Sequence, residues 1–121
     1  MLVTDPDVMV AEVQAHVGDA LRLVATYDQE GYELVYVRPD AAERAKTQGE
    51  RVHDELVLQG LGRGHLEDVF GAGDLECSVH RFEDLTAVHF AASEFSGLFV
   101  TVDTDADLAL ASFSETCKNF L

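Results

Sequence analysis

Residues 76–102, ECSVHRFEDLTAVHFAASEFSGLFVTV, are the most informative part of the sequence for the fold, because they predict three β-strands in succession with no helix between them. Their β-branched and aromatic residues predict strands over Glu76–Phe82, Leu85–Ala92 and Gly97–Val102. Glu83-Asp84 is the expected turn of the first hairpin. Strands joined by such short connections pair in antiparallel fashion.

The two faces of this predicted hairpin differ in polarity. The apolar face contains Cys77, Val79, Val88 and Phe90. The more polar face contains Ser78, His80, Ala87 and His89. Two imidazoles plus a carboxylate can hold a zinc or another borderline metal. His80 and His89 are therefore metal-ligand candidates, with ordinary packing or solvent exposure as the alternative, since no third ligand at a fixed spacing accompanies them.

The N-terminal part of the chain predicts a helix followed by a hairpin. Asp5-Pro6-Asp7 has the residues of a helix start, and Gly18 provides a stop. Leu21–Tyr27 and Tyr32–Val37 are rich in β-branched and aromatic residues and flank the loop 28–31. Strict alternation places Leu21, Leu23 and Ala25 on one face, and apolar residues on both faces predict that both are covered.

A long helix is predicted from Asp40 to Gln59, and it ends at the glycine-rich run 60–64, after which His65–Phe70 adds one helical turn. Its apolar stripe is Ala45, Gly49, Val52 and Leu56. His53 is expected at the surface.

The final helix is predicted to begin at Thr104-Asp105-Ala106-Asp107, which has the spacing of a capping box. Its core stripe is Ala106, Leu110, Phe113, Cys117 and Phe120.

Composition limits the partners. The chain has 121 residues, the size of one domain over 1–121, and its formal net charge of −15 opposes binding to DNA or RNA, which relies on basic residues. Only two lysines, Lys46 and Lys118, are present, and an acidic, lysine-poor surface resembles that of proteins from salt-in halophiles, with an acidic mesophilic protein as the alternative. No signal peptide or membrane span is visible, so we expect no membrane partner and a cytoplasmic location.

The element order from Asp5 to Leu121, α-β-β-α-β-β-β-α, resembles the roadblock family and its profilin-like relatives. The resemblance implies an α/β (α+β) fold with a five-stranded antiparallel sheet and helices on both faces. Ser78–Asp84 and the acidic composition are also similar to a group of small haloarchaeal proteins.

The roadblock resemblance implies a non-enzymatic, homodimeric module that docks a small Ras-like GTPase or scaffolds a signalling assembly. In that family the long middle helix and the neighbouring edge strand commonly build the dimer, here Asp40–Gln59 and Leu75–Phe82. The candidate interface residues are Ala45, Gly49, Val52, Leu56, Val79 and Phe95. Gly49 either permits close helix approach or is a tolerated helix glycine.

No chemical motif points to catalysis. The run 60–64 lacks the Gly-Lys-Ser/Thr ending of a phosphate-binding loop. Cys77 and Cys117 are expected to point inward, whereas a reactive thiolate needs an exposed, electropositive setting. We therefore expect no catalytic residue and no cofactor. The alternative function is a profilin-like small-molecule or metal sensor, whose cavity Tyr27, Tyr32, Tyr36 and Phe95 could line.

Overall fold

The computed structural model describes residues 5–93 and 95–121. Three helices and five strands alternate in the predicted order. They are α1 (Pro6–Val17), β1 (Leu21–Tyr27), β2 (Tyr32–Val37), α2 (Ala42–Phe70), β3 (Ser78–Arg81), β4 (Leu85–Ala91), β5 (Gly97–Asp103) and α3 (Leu110–Lys118).

The five strands form one antiparallel sheet in the order β2-β1-β5-β4-β3. Tight turns join β1 to β2 and β3 to β4: Asp28 N–H donates to the Gly31 carbonyl at 2.9 Å, and Phe82 N–H donates to the Leu85 carbonyl at 2.8 Å. The predicted fold class, α+β with an antiparallel sheet and helices on both faces, is confirmed.

The hydrophobic core lies between the sheet and the pair α1 and α3. Met9 and Val13 of α1 meet Val88 and Phe90 of β4, and Phe113 of α3 packs against Phe90 with ring centroids 6.3 Å apart. These side chains are fully buried because a strand directs alternate residues to one face and a helix directs every third or fourth. The cap at Asp5 is also as expected, since its carboxylate accepts from Val8 N–H at 3.4 Å.

β1 does not alternate strictly, and the predicted common face of Leu21, Leu23 and Ala25 was wrong. Leu21 pairs with Val102 while Leu23 pairs with Thr101, so the residue between Leu21 and Leu23 is an extra one on β1. A bulge of this kind shifts the following side chains to the other face. Leu21 therefore packs in the core, whereas Leu23 and Ala25 face α2.

β2 is an edge strand and is less covered than predicted. Tyr32, Glu33 and Leu34 are exposed, since α2 reaches only part of that face and β1 is the only strand paired with β2 among the described residues.

α2 is longer than predicted, and the predicted exit at 60–64 was wrong. The helix runs unbroken to Phe70 and ends at Gly71, which adopts the left-handed conformation with φ 60°. Contacts with distant segments hold its second half in place: Arg63 donates to the Ala91 carbonyl at 2.8 Å, and Glu67 accepts from Leu75 N–H at 2.6 Å. A 3₁₀ turn, Pro39–Ala41, precedes the helix.

The predicted capping box at 104–107 was also wrong. Thr104 Oγ donates instead to the Phe82 carbonyl at 2.7 Å, which uses the hydroxyl to connect β5 to the β3–β4 turn. α3 therefore starts only at Leu110, and Leu110 is exposed rather than part of the core stripe.

The predicted strand limits were wrong by one or two residues. β3 begins at Ser78 rather than Glu76, β4 ends at Ala91, and β5 extends to Asp103. Of the described helices, none combines the length and the hydropathy that a membrane crossing requires.

Candidate functional site

α2 covers the sheet face opposite to the core, but it does not pack against that face along its whole length. A cavity of about 640 Å³ lies between them, with walls from β1, α2, β4 and β5. A second cavity of about 360 Å³ lies farther along α2, beside Leu66 and Cys77. Gln59, His80 and His89 line both, so the two cavities meet at one polar cluster.

That cluster is a buried hydrogen-bond chain through His89. Tyr27 Oη lies 2.5 Å from His89 Nε2, and His89 Nδ1 lies 3.2 Å from Gln59 Oε1. The contacts fit the neutral tautomer in which Nδ1–H donates to the glutamine carbonyl and Nε2 accepts from the tyrosine hydroxyl. Tyr27 Oη also lies 3.5 Å from the Leu56 carbonyl of α2.

Burial keeps the side chains of His89 and Tyr27 uncharged at neutral pH. Desolvation, with a smaller contribution from nearby His80, lowers the pKa of His89 to about 4. Desolvation raises the pKa of Tyr27 to about 12, although the positive charge of Arg63 acts in the opposite direction. The hydrogen bonds from Tyr27 through His89 to Gln59 therefore connect the sheet to α2 without any charged group.

Two glycines make room for the tyrosines at this site. A Cβ on Gly97 would overlap the Phe90 carbonyl and would lie 2.7 Å from Tyr27 Oη. A Cβ on Gly49 would overlap the phenol of Tyr32, so the tyrosine ring can pack directly against the backbone of α2 at this position.

His53 is not a surface residue, contrary to the sequence-based expectation. Its side chain is 12% exposed, and Nε2 lies 2.6 Å from the Asp28 carbonyl in the β1–β2 loop. Its ring lies 6.0 Å from those of Tyr27 and Tyr32, so three aromatic rings close one end of the larger cavity.

A charged network lies where β1, β5 and the end of β2 meet. Arg38 donates to Asp103 Oδ1 and Oδ2 at 2.8 and 2.9 Å and also binds Asp40. The hydrogen bonds from Arg38 hold the pKa of both carboxyls below the usual range. Arg22 makes one longer contact, 3.5 Å from Nη1 to Asp103 Oδ1, and its Nε is buried with no hydrogen-bond partner among the described residues.

The two metal-ligand candidates lie on one face, as predicted. Ser78 pairs with His89 and His80 pairs with Ala87, so the two histidines are diagonal neighbours. His89 already uses both ring nitrogens, and the part of the chain that the structure describes contains no group of three or more His, Cys, Asp or Glu side chains arranged to hold a metal ion. Metal binding by His80 and His89 stays a prediction.

The candidate interface residues fall in different environments. Ala45, Gly49, Val52 and Leu56 line the cavity on the sheet-facing side of α2, and Leu56 is only 6% exposed. Val79 on β3 is 41% exposed, and Phe95 is half-buried. Their role in an interface stays a prediction.

Another set of apolar side chains is more accessible. We define the α2–β3 surface as the exposed apolar residues on the second half of α2 and on β3 with its turn. They are Leu58, Leu61, Leu66, Val69, Phe70, Val79 and Phe82. The sequence contained the signal, since these residues interrupt the charged side of the helix pattern, but the expected end at residue 60 concealed it.

The two cysteines are poorly suited to nucleophilic chemistry. Both are free thiols; Cys117 is buried and Cys77 is half-buried. Desolvation raises the pKa of both, to about 12 for Cys117. A thiol in such a setting behaves as a small apolar side chain.

Sequence reasoning anticipated part of the larger cavity. Tyr27 and Tyr32 line it as predicted, whereas Tyr36 packs toward the α1–α3 core and Phe95 is not among the lining residues. Arg22 and Gln59 were missed. An arginine inside an otherwise apolar strand was the only available signal for Arg22.

Comparison with known proteins gives a family and a fold. A family model described as "Domain of unknown function (DUF7522)" matches residues 7–121. A search of curated proteins finds no significant match.

Two solved structures share the fold. The roadblock/LC7 domain from Streptomyces avermitilis superposes with a TM-score of 0.60 at 17% identity, covering 96% of this chain and 91% of that one. MglB from Myxococcus xanthus superposes with a TM-score of 0.59 at 14% identity, covering 98% and 91%. The roadblock-like fold that the element order resembles is therefore confirmed.

Proposed function

The chain belongs to the family of the domain of unknown function DUF7522, and we propose that it is a homodimeric, non-enzymatic protein-interaction module that docks a small Ras-like GTPase or a related signalling assembly. The roadblock-like fold of the chain supports this proposal, since the roadblock resemblance implies such a role.

The observation that carries the proposal is the α2–β3 surface. It holds seven of the twelve exposed large apolar side chains of the described residues, although these elements form less than half of the chain. Leu58, Val69 and Phe70 are 60%, 66% and 76% exposed. Val79 pairs with Val88 and so lies on the sheet face of α1 and α3, next to the edge that β3 forms, whereas Phe82 lines the cavity under α2. Exposed apolar residues that concentrate on adjoining elements of a soluble protein favour a protein contact there.

The edge strand beside this surface supports self-association. β3 has β4 as its only described neighbour, so one side of its backbone can pair with another strand. Pairing of β3 with β3 of a second copy joins two five-stranded sheets and brings the two α2 helices together. The exposed side chains of Val79 and Phe82 then become buried at the junction.

The proposal excludes nucleotide hydrolysis by the chain itself. The run 60–64 lies inside α2 rather than in a loop after a strand, so its backbone amides are engaged in the helix and do not form a phosphate cradle. The high pKa of the Cys117 thiol is also unfavourable for thiolate chemistry.

Two further properties belong to the same proposal. One is a single domain over 1–121, which is supported by the pairing of β1 with both β2 and β5, since that pairing joins the two halves of the chain in one sheet. The other is its location: the net charge of −15 with only two lysines favours a protein that works in the salt-rich cytoplasm of a halophile.

Dimerisation is tested by charge substitutions on the α2–β3 surface. We expect the wild-type protein to sediment as a dimer in molar KCl and Val69→Asp with Phe70→Asp to give a folded monomer, because both side chains are exposed in the single chain. Val8→Asp is the matched control, since Val8 is an exposed apolar residue of α1 on the opposite side of the sheet. Sedimentation equilibrium separates the outcomes.

Val52→Asp tests the predicted stripe Ala45, Gly49, Val52 and Leu56 in the same assay: soluble monomers are expected if that stripe forms the dimer. A dimer unchanged by the substitution would contradict the stripe and leave the α2–β3 surface as the interface. Val52 lines the cavity between α2 and the sheet, so the stability of the variant must be measured alongside its mass. A wild-type monomer, or a dimer that survives the Val69 and Phe70 substitutions, would contradict the proposed interface.

GTPase docking is tested by affinity capture of the tagged protein in molar KCl, with mass spectrometry of the proteins retained. We expect a small GTPase among them, and purified GTPase should bind differently when loaded with GDP and with a non-hydrolysable GTP analogue. Recovery of only the chain itself would remove the GTPase part of the proposal and leave the self-associating module.

A further inference from the structure

We propose that the cavity between α2 and the sheet binds an amphipathic organic acid, with Arg22 holding the carboxylate and the cavity wall holding an apolar body. This site lies between α2 and the sheet and does not rest on the proposed dimer or on GTPase docking.

The bulge in β1 brings Arg22 to the cavity. Successive residues of a regular strand point to opposite faces, yet Arg22 and Leu23 both line the same cavity. The register change between Leu21 and Leu23 makes this possible, because Arg22 is the extra residue. Bulges commonly re-aim a side chain next to a functional site.

The charge of Arg22 is incompletely compensated inside the protein. Its side chain is 13% exposed, and its only ion pair among the described residues is with Asp103 at 3.5 Å, while Asp40 is near enough to interact with its charge but makes no contact with it. Both oxygens of Asp103 already accept shorter bonds from Arg38. Arg22 Nε is buried and unpartnered. A buried guanidinium in this state favours an additional anionic acceptor, and carboxylate is a geometric match for it.

The rest of the cavity favours an apolar body. Leu23, Ala25, Leu56 and Phe99 contribute to its wall, and its volume of about 640 Å³ is typical of small-molecule sites. The Tyr27–His89 pair at its far end is neutral because of burial, so it adds no second charge there.

The same surroundings disfavour a polyanion such as a nucleotide. Glu55, Glu83 and Asp84 line the cavity and are exposed, so they carry negative charge at its mouth. Arg44, the other arginine that lines it, is half-exposed and lies 3.7 Å from Asp84. One carboxylate can be neutralised by Arg22, whereas several phosphates would face this acidic rim.

Decanoate and decanol are the probes, because they share an alkyl chain and differ in the head group. Isothermal titration of the full chain in KCl should show saturable binding of decanoate and weaker binding of decanol. Arg22→Gln should weaken decanoate binding at least tenfold and leave decanol binding unchanged. Arg51→Gln removes an exposed arginine of α2 that is not among the lining residues and should bind both probes as the wild type does.

Amide NMR shifts of the wild-type protein provide a second measurement that does not depend on the folding of the variant. Decanoate should perturb amides of β1 around Leu23 and of α2 around Leu56. An absence of decanoate binding, equal loss in the Arg51 control, or perturbations confined to the α2–β3 surface would overturn the proposal. Sedimentation of the same samples reports the dimer separately, so failure of one proposal is distinguishable from failure of the other.

Discussion

The buried imidazole of His89 makes the free energy of unfolding depend on pH. An unfolded histidine titrates near pH 6.5, whereas burial lowers the pKa of folded His89 to about 4. Between these values the unfolded chain binds a proton that the folded chain does not, so the free energy of unfolding falls as the pH falls from about 6.5 to about 4. The full interval corresponds to about 3 kcal/mol.

Replacing His89 by Gln should remove this part of the pH dependence. Urea unfolding of both proteins at pH 8, 6 and 5 provides the measurement. The difference between them at pH 8 reports the lost contacts with Tyr27 and Gln59, and any further change at lower pH reports the proton. If the variant loses stability below pH 6.5 as steeply as the wild type, the imidazole is not buried in its neutral form.

The glycines in and after α2 provide a test of where this helix ends. Gly62 and Gly64 are helical and exposed, and a Cβ on either would meet no atom within 4 Å. Gly71 has φ 60°, where a side chain is strained. The same Gly→Ala change therefore has opposite effects at positions inside the helix and just beyond it.

Gly62→Ala and Gly64→Ala should each stabilise the protein by about 0.5–1 kcal/mol, because alanine restricts the unfolded chain and suits a helix. Gly71→Ala should destabilise it by about 1 kcal/mol, since an L-residue disfavours the left-handed conformation. Thermal unfolding of the three variants checks the helix bounds. Destabilisation at position 62 or 64 would show that the helix ends there, as the sequence alone suggested.

The net charge of −15 acts at the scale of the whole molecule. Like charges on a compact chain repel one another, and the Debye length falls from about 10 Å at 0.1 M salt to about 3 Å at 1 M. We expect the melting temperature to rise by about 4 °C between 0.1 and 2 M KCl, which is equivalent to about 1 kcal/mol for a domain of this size.

A variant with four exposed carboxylates neutralised is the control for this salt effect. Glu12→Gln, Glu43→Gln, Glu50→Gln and Asp105→Asn leave the core untouched. This variant should be more stable than the wild type in 0.1 M KCl and should gain less from added salt. Equal salt responses in the two proteins would assign the effect to the general action of salt on apolar surface instead.

Local sequence patterns were sufficient to predict the type and order of the elements. Met9 and Val13 recur at helical spacing, Val88 and Phe90 at strand spacing, and Asp5 and Gly18 lie at the ends of the first helix. These signals are local, because backbone geometry fixes which neighbouring side chains share a face. They also placed His80 and His89 on one face and two of the tyrosines beside the cavity.

Where α2 ends and what lines the cavity depend on contacts between distant segments. The second half of α2 depends on Arg63 and Glu67 binding to Ala91 and Leu75, and His53 becomes enclosed through its contact with Asp28. Arg22 reaches the cavity because the register between β1 and β5 shifts at the bulge between Leu21 and Leu23. Each of these outcomes arises from contacts between segments that are separate in the chain, and periodicity within one segment carries no information about such contacts.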